Sequence, residues 1–246
     1  MRKAVFVHGF MGSADMWGSV VLADWLMGWE VHAVHLPGHH KDHRLPDHYN
    51  ITSFAEDVLS QVQFGSNDTL LLVGHSMGGY IAADIAARYP NQIHGLVLFH
   101  SKVSNDSEAK RWDRARAIEL SHANTSLYIS TMLRNTFSPH NLTRVITNLS
   151  ELIDSAQWRI SHECIRACHT AMMNREDRLA VLDAAGIRRY YFLGSEDGAI
   201  PFSAIQEELK NIAEENIWLE EGCGHMGHIE APEASRKFFE RTFREI

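Results

Sequence analysis

Six short, nearly uninterrupted apolar runs punctuate the chain, at Ala4 to Val7, Val31 to Val34, Leu70 to Val73, Leu96 to Phe99, Tyr190 to Leu193 and Ile217 to Leu219. Runs this brief, without a polar residue at every second place, suit parallel strands covered on both faces. Amphipathic stretches separate them: Ala14 to Met27, Phe54 to Val62, Met77 to Tyr89, Ser203 to Ala213 and Ala234 to Phe243. Ser53-Phe54-Ala55-Glu56 offers a capping box for the second of these. Strand and helix in turn imply right-handed crossovers, so the expected class is α/β, with a doubly wound, mostly parallel sheet of about six strands. In such a sheet the functional loops gather at the carboxyl ends of the strands.

The alternation stops between Ser101 and Asp183. This stretch contains no glycine, and apolar residues recur at helical spacing around Ile118, Ile129, Leu133, Leu149 and Ile153. An all-helical insertion over 101–183 is expected, with residues 1–100 and 184–246 forming the core. Trp112, Tyr128, Met132, Phe137, Trp158, Met172 and Met173 are candidates to line a pocket there. Side chains of these types more often pack helices together.

Gly74-His75-Ser76-Met77-Gly78 stands between the third apolar run and the helix-like stretch that follows it. A serine forced into a tight strand-to-helix turn needs flanking residues without side chains, and its hydroxyl then stands clear at the positive end of a helix. Ser76 is therefore a candidate nucleophile. Serine needs a base, and the base needs an orienting acid. Asp197 follows the fifth run, with Glu196 and Asp106 as alternatives; His225 follows the sixth, with His228 in reserve.

With these residues in view, the chain resembles the α/β-hydrolase superfamily over nearly its whole length. Val5-Phe6-Val7-His8-Gly9-Phe10 looks like the family's strand ending in His-Gly-x, and Leu36-Pro37-Gly38-His39 like its Leu-Pro-Gly-His turn. Gly194 to Pro201 fits Gly-x-x-Asp-x-x-x-Pro, and Gly224-His225 with Glu230 and Pro232-Glu233 fits the catalytic-histidine loop. The resemblance implies a Ser76–His225–Asp197 triad, an oxyanion hole from the backbone N–H groups of Phe10 and Met77, and a cap over the nucleophile. It also implies chemistry without metal or organic cofactor. The front departs from the pattern, because the oxyanion strand starts within a few residues of Met1, without the antiparallel hairpin many members carry.

The expected activity is hydrolysis of a small carboxylic ester through an acyl-enzyme. Two other classes use the same residues: C–C bond cleavage or elimination on a carboxylated ring compound, and a triad-bearing small-molecule receptor. A carboxylated substrate calls for a cap arginine, and Arg111, Arg114, Arg116, Arg134, Arg159 and Arg166 are available, although a solvated helix face explains most such residues. The dense His39, His40, Asp42, His43 run is read as an exposed loop rather than a metal site, and Cys164 and Cys168 as buried helix residues.

With 246 residues, 45% of them hydrophobic, the chain can bury one sizeable core. A net charge of -8 argues against nucleic acid, and no run reaches the ~18 apolar residues of a membrane span. Met1 to Val7 begins like a signal peptide, but His8-Gly9 cuts its apolar stretch short. Three cysteines, an odd number, suggest no disulfide framework, so a cytoplasmic setting is expected. The oligomeric state has no signature.

Overall fold

The computed structural model describes residues 1–18 and 24–246. Six strands form one sheet: β1 (Arg2–Val7), β2 (Glu30–Val34), β3 (Thr69–His75), β4 (Ile93–Phe99), β5 (Arg189–Gly194) and β6 (Ile217–Glu220). Their order is β2-β1-β3-β4-β5-β6, and every neighbouring pair runs parallel. Each expected apolar run lies in a strand. Burial on both faces holds for the inner strands; the edge strands β2 and β6 remain partly exposed, since each has a neighbour on one side only.

Side-chain alternation divides the core between the faces. Val5, Val7, Leu70, Leu72, Leu96 and Leu98 pack on one side against Phe54 and Val58 of α1 (Ile51–Gln61) and Ile81 and Ile85 of α2 (Met77–Arg88). Ala4, Phe6, Leu71, Val73, Val97 and Phe99 face the other way, against Trp17 and Phe238, Phe239 and Phe243. This second layer is aromatic, with Phe99 and Phe239 ring centres 5.2 Å apart and Phe6 and Trp17 5.5 Å apart. Burying each such ring contributes roughly 1.5–3 kcal/mol.

Between β4 and β5 lie α3 (Glu108–Ala123), α4 (Thr125–Arg134), α5 (Ile146–Arg159), α6 (His162–Met173) and α7 (Leu179–Ala184). The helical character of the insertion follows the expectation. The boundary drawn at 183/184 falls inside α7, which packs against α2 of the core. After β5 come α8 (Gln206–Leu209), α9 (Gly227–Glu230) and α10 (Pro232–Glu245).

Two local expectations need correction. The cap of α1 is Asn50, whose side chain accepts from Ser53 N–H at 2.8 Å, so the helix starts a turn before the Ser53 box. The Ser203 to Ala213 stretch breaks into a 3-10 turn, Phe202–Ala204, and the short α8. The middle of the Ala14 to Met27 stretch, residues 19–23, lies outside the described residues; on either side stand 3-10 turns at Ala14–Trp17 and Asp24–Leu26, with Gly18 helical. Among the described residues no helix is long and apolar enough to cross a membrane.

Candidate active site

β3 ends at His75 and α2 begins at Met77, so Ser76 makes the turn alone, at φ 51° and ψ -120°. Positive φ is costly for serine and persists only where its surroundings enforce it. Here Ser76 N–H donates to Phe99 C=O at 3.1 Å, while Ser76 C=O accepts from Ser101 Oγ at 2.7 Å and from Gly79 N–H at 2.9 Å. A Cβ on Gly78 would stand 2.2 Å from Val7 C=O, so only glycine lets the first turn of α2 lie against β1.

The loop after β6 carries His225 to this serine. Its Nε2 is 2.8 Å from Ser76 Oγ, and its Nδ1 is 2.7 Å from Asp197 Oδ2. A carboxylate only accepts, so Nδ1 bears the proton and Nε2 is left to accept the Ser76 hydroxyl. Asp197 is buried; its Oδ1 accepts from Ala199 N–H at 2.9 Å and Ile200 N–H at 2.8 Å, and its Oδ2 also accepts from His100 Nδ1–H at 3.1 Å. Burial alone would push this carboxyl up, but His225 and His100 outweigh it and hold Asp197 well below the usual carboxylate range. Asp197 is therefore charged at neutral pH.

The histidine loop is held by its backbone. His225 N–H donates to Thr136 C=O at 2.7 Å, and His75 Nε2–H donates to His225 C=O at 3.1 Å. Buried Glu230 accepts from Gly224 N–H, Met226 N–H and, across the insertion, Ser138 N–H, at 2.9 to 3.1 Å.

Opposite lies the loop after β1. A Cβ on Gly9 would meet His75 Nδ1 at 2.6 Å and Ser76 Cβ at 3.0 Å, so this backbone presses directly on the Ser76 turn. Gly12 N–H donates to Gly9 C=O at 3.0 Å, and Met11 N–H donates to His39 Nε2 at 3.1 Å. Arg159, from the end of α5, donates through Nη1 to Gly12 C=O at 2.9 Å and His39 C=O at 2.8 Å, and through Nε to Ser155 Oγ at 3.2 Å. Between the two loops opens a cavity of about 420 Å³ with Ser76, His75 and His225 on its floor. Phe10, Met132, Leu133, Leu152 and Ile229 supply an apolar wall, and Ser13, Asp15, Glu151 and Arg159 a polar rim.

A profile of the alpha/beta hydrolase fold family matches residues 5–232. The chain belongs to the α/β-hydrolase family. It is 36% identical over 101 residues to an abhydrolase domain-containing protein of Caenorhabditis elegans, covering 38% of this chain and 22% of that protein. The chain thus spans about a fifth of the length of that first curated relative. It is 27% identical to a monoacylglycerol lipase of Xenopus laevis over 96% of this chain and 73% of that one. A thermophilic esterase from Thermogutta terrifontis superposes with a TM-score of 0.86 at 20% identity, covering 100% of this chain and 90% of the other, which shows a shared fold.

The remaining sequence candidates of this α/β hydrolase sort by their neighbours. Glu196 turns to Ser138 Oγ and His140, and Asp106 pairs with Arg114 and Arg175, so neither alternative acid meets His225. His228 lines the cavity with an unpartnered Nδ1 rather than reaching Ser76 Oγ; burial, His100 and His225 push it down to about 3. Of the aromatic and methionine candidates only Met132 lines the cavity: Trp112 and Trp158 are 70% and 69% exposed, while Phe137 and Met172 are buried in the core. Tyr128 bonds His169 at 2.6 Å, and Met173 is half-buried. Arg111, Arg116 and Arg134 are exposed, and Arg166 pairs with Glu163.

The His39 run is not the exposed loop that the sequence suggested. His39 is fully buried behind Met11, and His43 bonds Asp57 at 2.9 Å, while His40 and Asp42 are exposed. Among the described residues two groups have the proximity of metal ligands, His39–Cys164–Cys168 and His100–Asp197–His225. In the first, Met11 N–H occupies one nitrogen of His39, and the other, at 3.0 Å, donates its proton to Pro37 C=O. In the second, the imidazole protons stand between the nitrogens and the carboxylate. All three cysteines are free and buried.

Proposed function

We propose that this α/β hydrolase is a serine esterase that cleaves small carboxylic esters through an acyl-enzyme. The observation that carries the reading is the continuous chain Ser76 Oγ, His225 Nε2, His225 Nδ1, Asp197 Oδ2, with contacts of 2.8 and 2.7 Å. His225 takes the Ser76 proton as the oxygen attacks the ester carbonyl; Asp197 keeps the imidazole in the needed tautomer and stabilises its charged form. The tetrahedral oxyanion is met by the N–H groups of Met77 and Phe10. Met77 opens α2, where first-turn N–H groups have no helical partner, and Phe10 follows the Gly9 pressed against Ser76. His225 then protonates the leaving alcohol, and activates the water that releases the acid. None of these steps calls for a metal or organic cofactor.

The helices from Glu108 to Met173 are proposed to act as the cap. The cavity is near the small end of ligand pockets, which supports a short to medium acyl chain against the Phe10, Met132 and Leu152 wall. Arg159 gives both Nη1 hydrogens to backbone oxygens and Nε–H to Ser155 Oγ, and Asp15 and Glu151 share its rim, so a substrate carboxylate meets acidic neighbours rather than an open two-pronged clamp. That speaks for esters over carboxylated ring compounds. Relatives named as esterases or lipases are consistent with the same choice.

The test is a series of p-nitrophenyl esters of rising acyl length, run on the wild type and Ser76→Ala. Short to medium esters should turn over, and the variant should lose at least ~100-fold in kcat. Turnover that survives Ser76→Ala, or a fluorophosphonate that labels another residue, overturns the reading.

A further inference from the structure

Asp197 Oδ2 accepts from two histidines, and only one of them reaches the nucleophile. His225 approaches it at 2.7 Å and His100 at 3.1 Å. We propose that His100 is a positioning residue of the triad: by donating Nδ1–H to the oxygen that also holds His225, it governs how strongly Asp197 supports the protonated form of His225.

The tautomer of His100 is set from its other side. Gly227 N–H donates to His100 Nε2 at 3.2 Å, so that nitrogen carries a lone pair and Nδ1 carries the proton that Asp197 accepts. The contact is close by construction, because a Cβ on Gly227 would stand 2.5 Å from His100 Nε2. His100 itself has φ 49°, an uncommon state for a residue with a side chain, immediately after β4. The ring is fully buried, with Phe99 and Phe192 centred 4.8 and 5.2 Å away. Burial lowers its proton affinity, against the pull of Asp197, so it donates as a neutral imidazole. Facing it are Asp197, His225 at 5.6 Å and His75 at 6.1 Å between ring centres, with Glu230 and His228 contributing more distant charge.

The consequence is a division of one carboxylate's charge. Each N–H donated into Oδ2 draws on the same electron density, so a second donor leaves Asp197 a weaker partner for the imidazolium that forms during acylation. Removing His100 strengthens the His225 pair and makes the base hold its proton to higher pH.

The inference rests on the esterase reading, and the experiment separates the two. His100→Leu removes the donor; His100→Asn keeps an N–H at the same distance from the backbone while also losing the acceptor for Gly227. With a p-nitrophenyl ester, the acid limb of kcat/KM should move up by about 0.5–1 pH unit in His100→Leu, a further ~3- to 10-fold loss at the foot of the limb, and return towards the wild-type position in His100→Asn. A limb that stays or moves down in His100→Leu, or moves equally in both variants, overturns the proposal. If His100→Leu does not fold, ¹⁵N-imidazole spectra of the wild type decide: His100 should show a protonated Nδ1 and bare Nε2 from pH 6 to 8, and the opposite tautomer or a doubly protonated ring overturns it. That readout needs no turnover. Activity that survives Ser76→Ala would sink the esterase reading while leaving the tautomer measurement to judge His100.

Discussion

Two acids stand side by side after β5, and they face different neighbours. Asp197 takes four N–H donors, two from the backbone and two from imidazoles, whereas Glu196 faces Ser138 and His140. Asp197→Asn presents an amide to His225 Nδ1 and favours the wrong tautomer, so kcat should fall on the order of 10³ to 10⁴. Glu196→Gln should leave kcat near the wild-type value in the same assay; the reverse outcome would reassign the acid. Ser76 was readable because a tight strand-to-helix turn demands small residues at fixed offsets. His100 was not, since no local pattern marks it. Only its place just past a strand, at the edge where functional loops converge, could have drawn attention, and that place is known only once the register is known.

At the scale of elements, α5 reaches across the cavity and fastens the loop after β1 by one side chain. Arg159 bonds the carbonyls of Gly12 and His39, and His39 in turn accepts from Met11 N–H. Burial lowers the proton affinity of this guanidinium, with Asp15 and Cys164 opposing, yet arginine remains charged at any working pH. Arg159→Met should lower kcat/KM by about 10- to 100-fold, less than the loss of an oxyanion donor itself because the loop is loosened rather than stripped. The loss should be equal for two esters of different acyl length, as expected of a loop-positioning role; a loss confined to one ester would make Arg159 a substrate contact. The sequence announced helices here but not this contact, because helical spacing tells which face is apolar and not which loop a polar end will meet. Asn50 makes the same point for α1, where an earlier cap displaced the Ser53 box.

For the whole molecule, sheet order and helical insertion were legible because burial on two faces leaves long, recognisable apolar runs. The ties between core and insertion were not, since they are polar contacts between residues far apart in the sequence, such as Thr136 C=O with His225 N–H and Ser138 N–H with Glu230. Within the insertion Asp106 pairs with Arg114 of α3 and with Arg175 after α6, and the Arg175 guanidinium so held lies 3.9 Å from the centre of the Tyr80 ring on α2 of the core. Burial would push the Asp106 carboxyl up; Arg175 and Arg114 outweigh it and bring it to about 2. A carboxyl lowered by folding stabilises the fold above its ordinary pKa of about 3.9 and loses that contribution as pH falls towards 2. Asp106→Asn should therefore cost roughly 3 kcal/mol at pH 7, and the gap in Tm from wild type should shrink between pH 4 and pH 2. A gap independent of pH would place the loss in packing instead. The bond from His225 N–H to Thr136 C=O carries a last consequence. The doorway to Ser76 has one jamb nailed to His225, so the helices cannot swing aside as a single leaf without dragging the imidazole off its serine, and entry must be made past a post that stays put.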